Sequence, residues 1–490
     1  MIALAALVVL PLAGGLLAWL ADRRGTAPRA AWFVSIGTII LLTALLAVIT
    51  WSGLRTQGPW LLHLSLPWVP ALGIALRCDL DGLGLTLLWL TAVLTYPCVV
   101  TAARDVRDKA GLFHLLLLLA IAGVNGVFIA TDLFLFFFFW ELMLVPLYIL
   151  VTLWGHEDRA RAAIKFFLFT QGSGLLMLLS ILGLVIAHFR QSGVLTFDYF
   201  ALAGTALPPR LSLLLALGFF AAFAVKLPVV PLHVWLPDTH TQAPTAGSVL
   251  LAGVLLKTGG YGLIRFVLLL FPAASAQLAP VAMALGVAGI LYGAVLALAQ
   301  DDMKRLIAYS SVSHMGFVLL GLFSGSALGL QGAVVQMLAH GLSTGALFAI
   351  AGALQDRLHT RDLRSMGGLW AVIPQLSAMG LVFTVASLGL PGLGNFVGEF
   401  LVLLATWRVS PLLAGLAAAG LVLSALYGLT MLGRAFMGPL ATQEARRIDD
   451  FGPRDMAVLG GAIILLIALG LYPQPVADTA RPVAPAAHAS

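Results

Sequence analysis

The stretch FAVKLPVVPLHVWLP, residues 223–237, places Lys226, Pro228, Pro231 and His233 inside an otherwise apolar segment. Pro228 and Pro231 each remove a backbone hydrogen-bond donor and crowd the preceding turn, so a helix in this segment is expected to break there. The stretch therefore predicts a discontinuous helix with a charged side chain beside the break.

The composition around this stretch is typical of a polytopic membrane protein. Of the 490 residues, 61% are hydrophobic and only 10% are charged, whereas soluble domains carry about 25% charged residues. A spanning helix needs roughly 20 apolar residues. We predict an all-α membrane fold of about 14 such helices, of which the opening stretch belongs to the seventh. The apolar runs begin near residues 1, 31, 81, 111, 132, 164, 211, 244, 274, 306, 329, 370, 411 and 454.

The remaining composition argues against two other kinds of site. The net charge of +6 could indicate nucleic-acid binding, but the basic residues are scattered through short loops and form no basic domain. Cys78 and Cys98 are the two cysteines, whereas an iron–sulfur cluster uses four thiolates. No compact metal-ligand spacing such as His-Glu-x-x-His occurs. We therefore expect no cofactor and no metal in this chain.

The positions of Lys and Arg predict the orientation in the membrane. With fourteen helices, the loops on one side collect most of the 27 Lys and Arg residues, Lys304 among them, whereas Arg265 falls on the other side. Short loops rich in Lys and Arg stay in the cytoplasm. Both termini are therefore expected on the periplasmic side of a bacterial inner membrane.

Four ionisable residues lie within apolar runs, namely Glu141, Lys226, Lys257 and Glu399. A charge at the centre of a membrane helix costs about 2.5–3.5 kcal/mol on insertion, so each one needs a partner or water. A static buried ion pair that locks two helices together would explain one such pair. Four sites on four helices favour a proton path, because roughly 30 Å of hydrocarbon needs several relay points.

Glu141 and Lys226 form the expected acid–base pair of this path. Desolvation favours the neutral amine of a lysine, whereas a nearby carboxylate favours the charged form. A movement that separates Lys226 from Glu141 would therefore release the proton of the lysine. The distance between the two side chains would thus control whether Lys226 keeps its proton.

Three histidines, His233, His314 and His340, lie in or beside apolar segments and are expected to act as proton relays. Histidine can carry protons either way near neutral pH. For any one of them, a hydrogen-bonded histidine in the core is the alternative. His240, in LPDTHTQAPT, is expected at a helix end rather than deep inside.

The twelfth segment, VASLGLPGLGNFVGEF, is interrupted like the seventh, here by Pro391 among glycines. Paired interrupted helices indicate an internal repeat with the functional site at the breaks. The breaks lie five helices apart, so the second copy is expected upside down. Two unrelated proline kinks are the alternative. The predicted units are helices 1–3 over residues 1–110, helices 4–8 over 111–272, helices 9–13 over 273–438, and helix 14 with a tail over 439–490.

Several long stretches together resemble one family. They are FLFFFFWELMLVPLYILVTLWG, AAIKFFLFTQGSGLLMLL, residues 223–266 around the opening stretch, DMKRLIAYSSVSHMGFVLLGLFSG, HTRDLRSMGGLW and LPGLGNFVGEF. They are similar to the antiporter-like subunit M of bacterial NADH:quinone oxidoreductase, respiratory complex I, from about residue 79 to about residue 475. The first 78 residues and the last 15 carry no part of the resemblance.

The resemblance implies roles for the residues singled out above. Glu141 and Lys226 match the coupled acid and base of the family, and Lys257 matches its lysine at mid-membrane. His233, His314 and His340 match connecting polar residues. Glu399 matches the exit-side acid of subunit M, where the sister subunits L and N usually have a lysine.

The resemblance also implies partners and a function. We expect a proton-translocating subunit of the oxidoreductase, in contact with the lipid bilayer and with sister subunits L and N. NAD, FMN, iron–sulfur clusters and quinone would belong to other subunits, so this chain would be part of a translocase without a redox centre of its own. The large subunit of an Mrp-type sodium/proton antiporter, a membrane-bound hydrogenase subunit and a purely structural scaffold are the alternatives.

Overall fold

The computed structural model describes residues 2–53, 58–106, 108–440 and 448–480. Five basic residues used in the orientation argument lie outside these ranges, namely Arg55, Arg107, Arg446, Arg447 and Arg481.

The described ranges are almost entirely helical. The helices are α1 (Ile2–Ala21), α2 (Pro28–Gly53), α3 (Gly82–Asp105), α4 (Ala110–Ile129), α5 (Leu133–Trp154), α6 (Arg159–Ser192), α7 (Tyr199–Ala203), α8 (Pro209–Lys226), α9 (Trp235–Gln242), α10 (Thr245–Leu250), α11 (Leu256–Gly262), α12 (Pro272–Leu298), α13 (Met303–Phe323), α14 (Ala327–Leu358), α15 (Pro374–Ser387), α16 (Gly394–Val409), α17 (Pro411–Phe436), α18 (Pro453–Leu471) and α19 (Gln474–Thr479). Two π-helical segments, Leu251–Leu255 and Leu263–Leu268, join α10 and α11 into one span.

The number of membrane crossings agrees with the sequence prediction. Within the described ranges, 13 spans are long and apolar enough to cross a membrane. The remaining crossing is the pair α15 and α16, which are separated by residues 388–393 and are each short. The all-α fold with discontinuous helices 7 and 12 is therefore confirmed.

The connection between α2 and α3 contains a β-hairpin. Strands β1 (Trp60–Val69) and β2 (Ile74–Asp81) pair antiparallel. The chain turns at Gly73, whose φ of 69° lies in the left-handed region that glycine adopts at low cost. The hairpin packs beside the ends of α3, α4 and α5.

Two matching pairs of aspartates mark the inverted repeat. Asp132 caps α5, and its backbone forms an antiparallel bridge to Asp198, which caps α7. Asp302 caps α13 and is bridged in the same way to Asp362, which caps the short 3-10 turn after α14. Each bridge joins the second helix of a repeat to the loop after its third helix. Five crossings separate the two bridges, so they lie at opposite membrane faces.

The interior of the fold is built from three elements. All residues from Ala243 to Val267 are buried, and so are those from Ala333 to Leu354 in α14. Helix α13 lies beside them and is almost completely buried. This interior holds most of the ionisable residues of the candidate site.

Candidate proton-translocation site

The break in the seventh segment is where the prolines predicted it. Helix α8 ends at Lys226 and α9 begins at Trp235. Backbone carbonyls near the break are satisfied within the protein. The indole nitrogen of Trp235 donates to the Val225 carbonyl at 3.0 Å, and the Val229 amide donates to the Ala224 carbonyl at 2.8 Å. This agrees with the rule that irregular backbone at membrane depth is enclosed by protein.

Lys226 has an aromatic environment at this break. It is 1% exposed, and its Nζ atom has no hydrogen-bond partner among the described residues. The atom lies 5.5 Å from the ring centre of Trp140 and 5.3 Å from that of Phe166. Cation–π contacts of this kind stabilise a desolvated ammonium group.

Glu141 lies next to Trp140 in α5, but its carboxylate forms no ion pair with Lys226 within the described ranges. Its Oε1 atom is buried without a partner among the described residues. Gly174 of α6 provides room for the carboxylate, because a Cβ atom there would lie 2.6 Å from Oε1. The acid and the base of the predicted pair therefore interact electrostatically without a direct ion pair among the described residues.

Lys257 lies between the two π-helical segments and is completely buried. Its Nζ atom donates to the Ala252 carbonyl at 2.5 Å and lies 2.8 Å from Nδ1 of His340. Single π-helical turns are frequent at functional sites. The lysine of the eighth segment is thereby joined directly to α14.

Buried polar side chains continue from α14 to the second broken helix, with a gap at His340, whose Nε2 atom has no hydrogen-bond partner among the described residues. The rings of His340 and His314 are 5.6 Å apart. Nδ1 of His314 lies 2.8 Å from Oε1 of Glu399, and its Nε2 lies 3.2 Å from the Ser387 hydroxyl and 3.0 Å from that of Tyr427. Lys257, both histidines and Glu399 thus form one buried polar run across α11, α14, α13 and α16.

The carboxylate of Glu399 is held close to the break in the twelfth segment. Gln336 donates to its Oε1 atom at 2.9 Å. A Cβ atom on Gly389, whose φ is 75°, would lie 2.8 Å from Oε2. The glycine thus adopts the left-handed backbone conformation of the turn and leaves room for the carboxylate.

His233 is the one predicted relay that the structure does not bring to the others. It lies between α8 and α9, with its ring 5.4 Å from that of Tyr292 and 6.4 Å from that of Tyr309. Its Nδ1 atom has no partner among the described residues. Its role as a relay remains a prediction.

Two functional candidates were misjudged from the sequence. Lys304, counted above as a loop residue, is completely buried in the first turn of α13, and its Nζ donates to the Ala243 carbonyl at 3.3 Å. His240 does lie in the last turn of α9, yet it is fully buried and stacks on Phe348 at 4.4 Å. The local pattern at a helix end does not reveal which neighbouring helices cover it.

Arg265 was also counted as a loop residue and is instead buried. Its guanidinium group forms an ion pair with Asp81 of β2 and lies 5.1 Å from the ring centre of Trp60. The hairpin covers this end of the span from Thr245 to Leu268. The sequence shows Asp81 just before α3, but nothing in the sequence indicates that Arg265 is its partner.

A large open cavity lies beside two aspartates that interact electrostatically with Lys304. It has a volume of about 880 Å³ and is lined by Asp105, Gln355 and Asp356 among others. The carboxyl groups of Asp105 and Asp356 both interact electrostatically with Lys304. Buried ionisable groups beside such a cavity could exchange protons with water.

The chain was compared with known proteins. A family model described as NADH:quinone oxidoreductase/Mrp antiporter, transmembrane, matches residues 130–426. NADH-quinone oxidoreductase subunit M of Pseudomonas aeruginosa is 52% identical over 96% of this chain and 94% of the relative. A chain in the structure of respiratory complex I from Thermus thermophilus with bound NADH superposes with a TM-score of 0.87 at 32% identity, over 97% of this chain and 98% of that one.

The antiporter alternative shares the fold alone. A chain of the Mrp complex from a Dietzia species superposes with a TM-score of 0.83 over 98% of this chain and 96% of that one, but only 23% of its residues are identical. The much higher identity to the subunit M relative disfavours the antiporter alternative. The chain belongs to the subunit M family of NADH-quinone oxidoreductases.

Proposed function

We propose that this chain translocates protons as an antiporter-like membrane-arm subunit of an NADH:quinone oxidoreductase. The observation that carries the proposal is the buried run from Lys257 through His340 and His314 to Glu399, with the 2.8 Å contacts given above at its two ends. Intramembrane ionisable residues of this kind mark proton relays.

Each part of the site has a proposed role. Glu141 and Lys226 form the pair whose separation sets the charge of the lysine, because a carboxylate that moves away no longer favours the charged amine. Lys257 and His340 pass the proton on. Glu399 is the final acid of the run, with His314 between.

Protons would reach the run through the cavity beside Lys304. Asp105 and Asp356 line that cavity, and His240 is a buried histidine that interacts electrostatically with both Lys304 and Lys257. His233 would serve a separate branch at the break in the seventh segment.

The proposal includes the setting of the chain. It would lie in a bacterial inner membrane with both termini periplasmic, beside sister subunits L and N, and its repeats would cover residues 111–272 and 273–438. NADH oxidation and quinone reduction, with FMN and iron–sulfur clusters, would take place in partner subunits. In support, Cys78 and Cys98 lie in different elements, β2 and α3.

The test is NADH-driven proton uptake by inverted membrane vesicles that carry Lys226→Ala, with electron transfer to an artificial acceptor measured in parallel. Lost uptake with intact acceptor reduction is expected. Lys109→Ala is the control, since Lys109 is exposed at the start of α4, and it should leave both rates unchanged. Normal uptake in Lys226→Ala would contradict the proposal.

A further inference from the structure

A cleft of about 490 Å³ opens between the ends of α2, α3, α4 and α18, away from the proton run. Arg29 and Arg454 line it together with Trp32, Phe33 and His114. The cleft lies on the side rich in Lys and Arg, and Arg23 and Arg24 follow α1 nearby in the chain. Its polar end is therefore strongly basic, whereas its apolar wall includes Phe33, which is 65% exposed.

The basic wall of the cleft is preorganised. The guanidinium group of Arg454 lies 5.0 Å from the ring centre of Trp32 and donates to the Val100 carbonyl at 2.8 Å. The indole of Trp32 is held in turn by the Val99 carbonyl at 3.0 Å. An arginine keeps several N–H donors free after one such hydrogen bond. Arg29 has no hydrogen bond or ion pair with any other described residue, so its charge is available.

The floor of the cleft carries an unsatisfied polar group. His114 is 1% exposed, and its Nδ1 atom has no hydrogen-bond partner among the described residues. The carboxylate behind it, Asp22, is engaged by the amides of Ala27 at 2.7 Å and Gly111 at 3.0 Å. A buried polar atom without a partner costs free energy, which a ligand with polar oxygens would recover.

Helix ends add to the preference for an anion. Helices α2, α4 and α18 all begin at this cleft, at Pro28, Ala110 and Pro453. Helix N-termini carry partial positive charge and favour anionic groups. Together with the two arginines, they produce a site for one negatively charged group at the membrane boundary.

We infer that this cleft binds the headgroup phosphate of an anionic phospholipid. Arg29 and Arg454 contact the phosphate oxygens, His114 hydrogen-bonds a polar oxygen at the floor, and one acyl chain lies along Trp32 and Phe33. Basic pockets between transmembrane helices on the cytoplasmic side recognise anionic lipids in this way. The exposed apolar wall favours a lipid over a free phosphate ion, because only a lipid has an acyl chain that can cover this wall.

The experiment uses the assembled complex that contains this chain, reconstituted in vesicles with phosphatidylglycerol or phosphatidylcholine that bears a diazirine on the acyl chain. After photolysis, mass spectrometry measures labelling of the peptide that contains Trp32 and Phe33. Phosphatidylglycerol should label it more strongly. Arg29→Gln should reduce that labelling about fivefold, which corresponds to about 1 kcal/mol per basic residue.

Arg161→Gln is the matched control, because Arg161 is exposed at the start of α6 and lines a different cleft. It should leave labelling unchanged. Arg454→Gln also removes the contact with Val100, so this variant could fail to assemble for that reason. Arg29→Gln removes no contact among the described residues, and its result therefore decides the test. Equal labelling by both lipids, or undiminished labelling in Arg29→Gln, overturns the inference. Loss of labelling with excess inorganic phosphate overturns the assignment to a lipid.

Discussion

The Nζ atom of Lys257 lies 2.8 Å from Nδ1 of His340, and both side chains are completely buried. An ammonium group and an imidazolium offer only donors. The contact therefore requires that at least one of the two nitrogens presents a lone pair. The pair can therefore hold at most one positive charge. When a second proton arrives at either residue, the pair must pass a proton on to another group.

Replacement of His340 tests this relationship. His340→Ala removes a hydrogen bond to a charged group, which contributes about 1.5–3 kcal/mol, and His340→Gln removes the group that carries the proton. Both variants should lower NADH-driven proton uptake more than about tenfold. The glutamine can accept from Lys257 but cannot carry a proton. Uptake at the original rate in His340→Gln, with intact acceptor reduction, would show that the histidine only holds the lysine in place.

Gly174 controls the space around Glu141. Gly174→Ala places a Cβ atom 2.6 Å from Oε1 of Glu141, so the carboxylate must move. Because that group is the end of a flexible side chain, we expect a several-fold loss of proton uptake without loss of assembly. Gly172→Ala is the control two residues earlier in α6, since a Cβ atom there meets no atom within 4 Å. Equal uptake in the two variants would contradict this role of Gly174.

The ion pair of Arg265 and Asp81 should hold the β-hairpin on the helices. Its side chains are 5% and 4% exposed. Asp81→Asn leaves a buried unpaired guanidinium and should lower the free energy of unfolding by about 3–5 kcal/mol, measured by thermal or denaturant unfolding of the purified protein. Asp81→Asn combined with Arg265→Met should recover part of the loss, because the uncompensated charge is removed. A double variant less stable than Asp81→Asn would refute this explanation.

Because of His156, in the loop between α5 and α6, we expect the folded protein to lose stability in acid. Burial, with the nearby charges of Lys304 and Arg361, lowers the pKa of His156 from 6.5 to about 4. The neutral ring accepts from the Gln355 amide at 3.1 Å. Between these two pKa values the unfolded chain binds more protons than the folded one, so stability falls as the pH drops from 6.5 toward 4. Above pH 6.5 this contribution does not change.

His156→Gln removes the titrating group and should flatten this part of the stability curve. The measurement is the unfolding midpoint at several pH values, with His359→Gln as the control. His359 is a histidine at the end of α14 near the same face. An identical acid slope in the original protein and in His156→Gln would exclude His156 as the cause.

The sequence predicted the parts of the site that depend on local rules. A charge within an apolar run, as at Lys226 or Glu399, can be recognised from the sequence. The reason is that a charge in hydrocarbon costs free energy whatever the tertiary structure is. Proline breaks are equally local, since they remove a donor from their own helix. These two rules led to the discontinuous helices 7 and 12 and to Lys226, Lys257 and Glu399, which the structure shows buried.

Tertiary structure decided which of these groups touch. Lys257 and His340 are 83 residues apart and Glu399 and His314 are 85 apart, and no local pattern specifies such pairs. Lys304 and His240 were misjudged because burial at a helix end depends on the neighbouring helices. Composition and prolines determined a membrane protein with broken helices and buried charges. Helix packing alone determined that two of those charges, Lys257 and Glu399, each meet a histidine of one buried run, because hydrogen bonds need atoms within about 3 Å of each other.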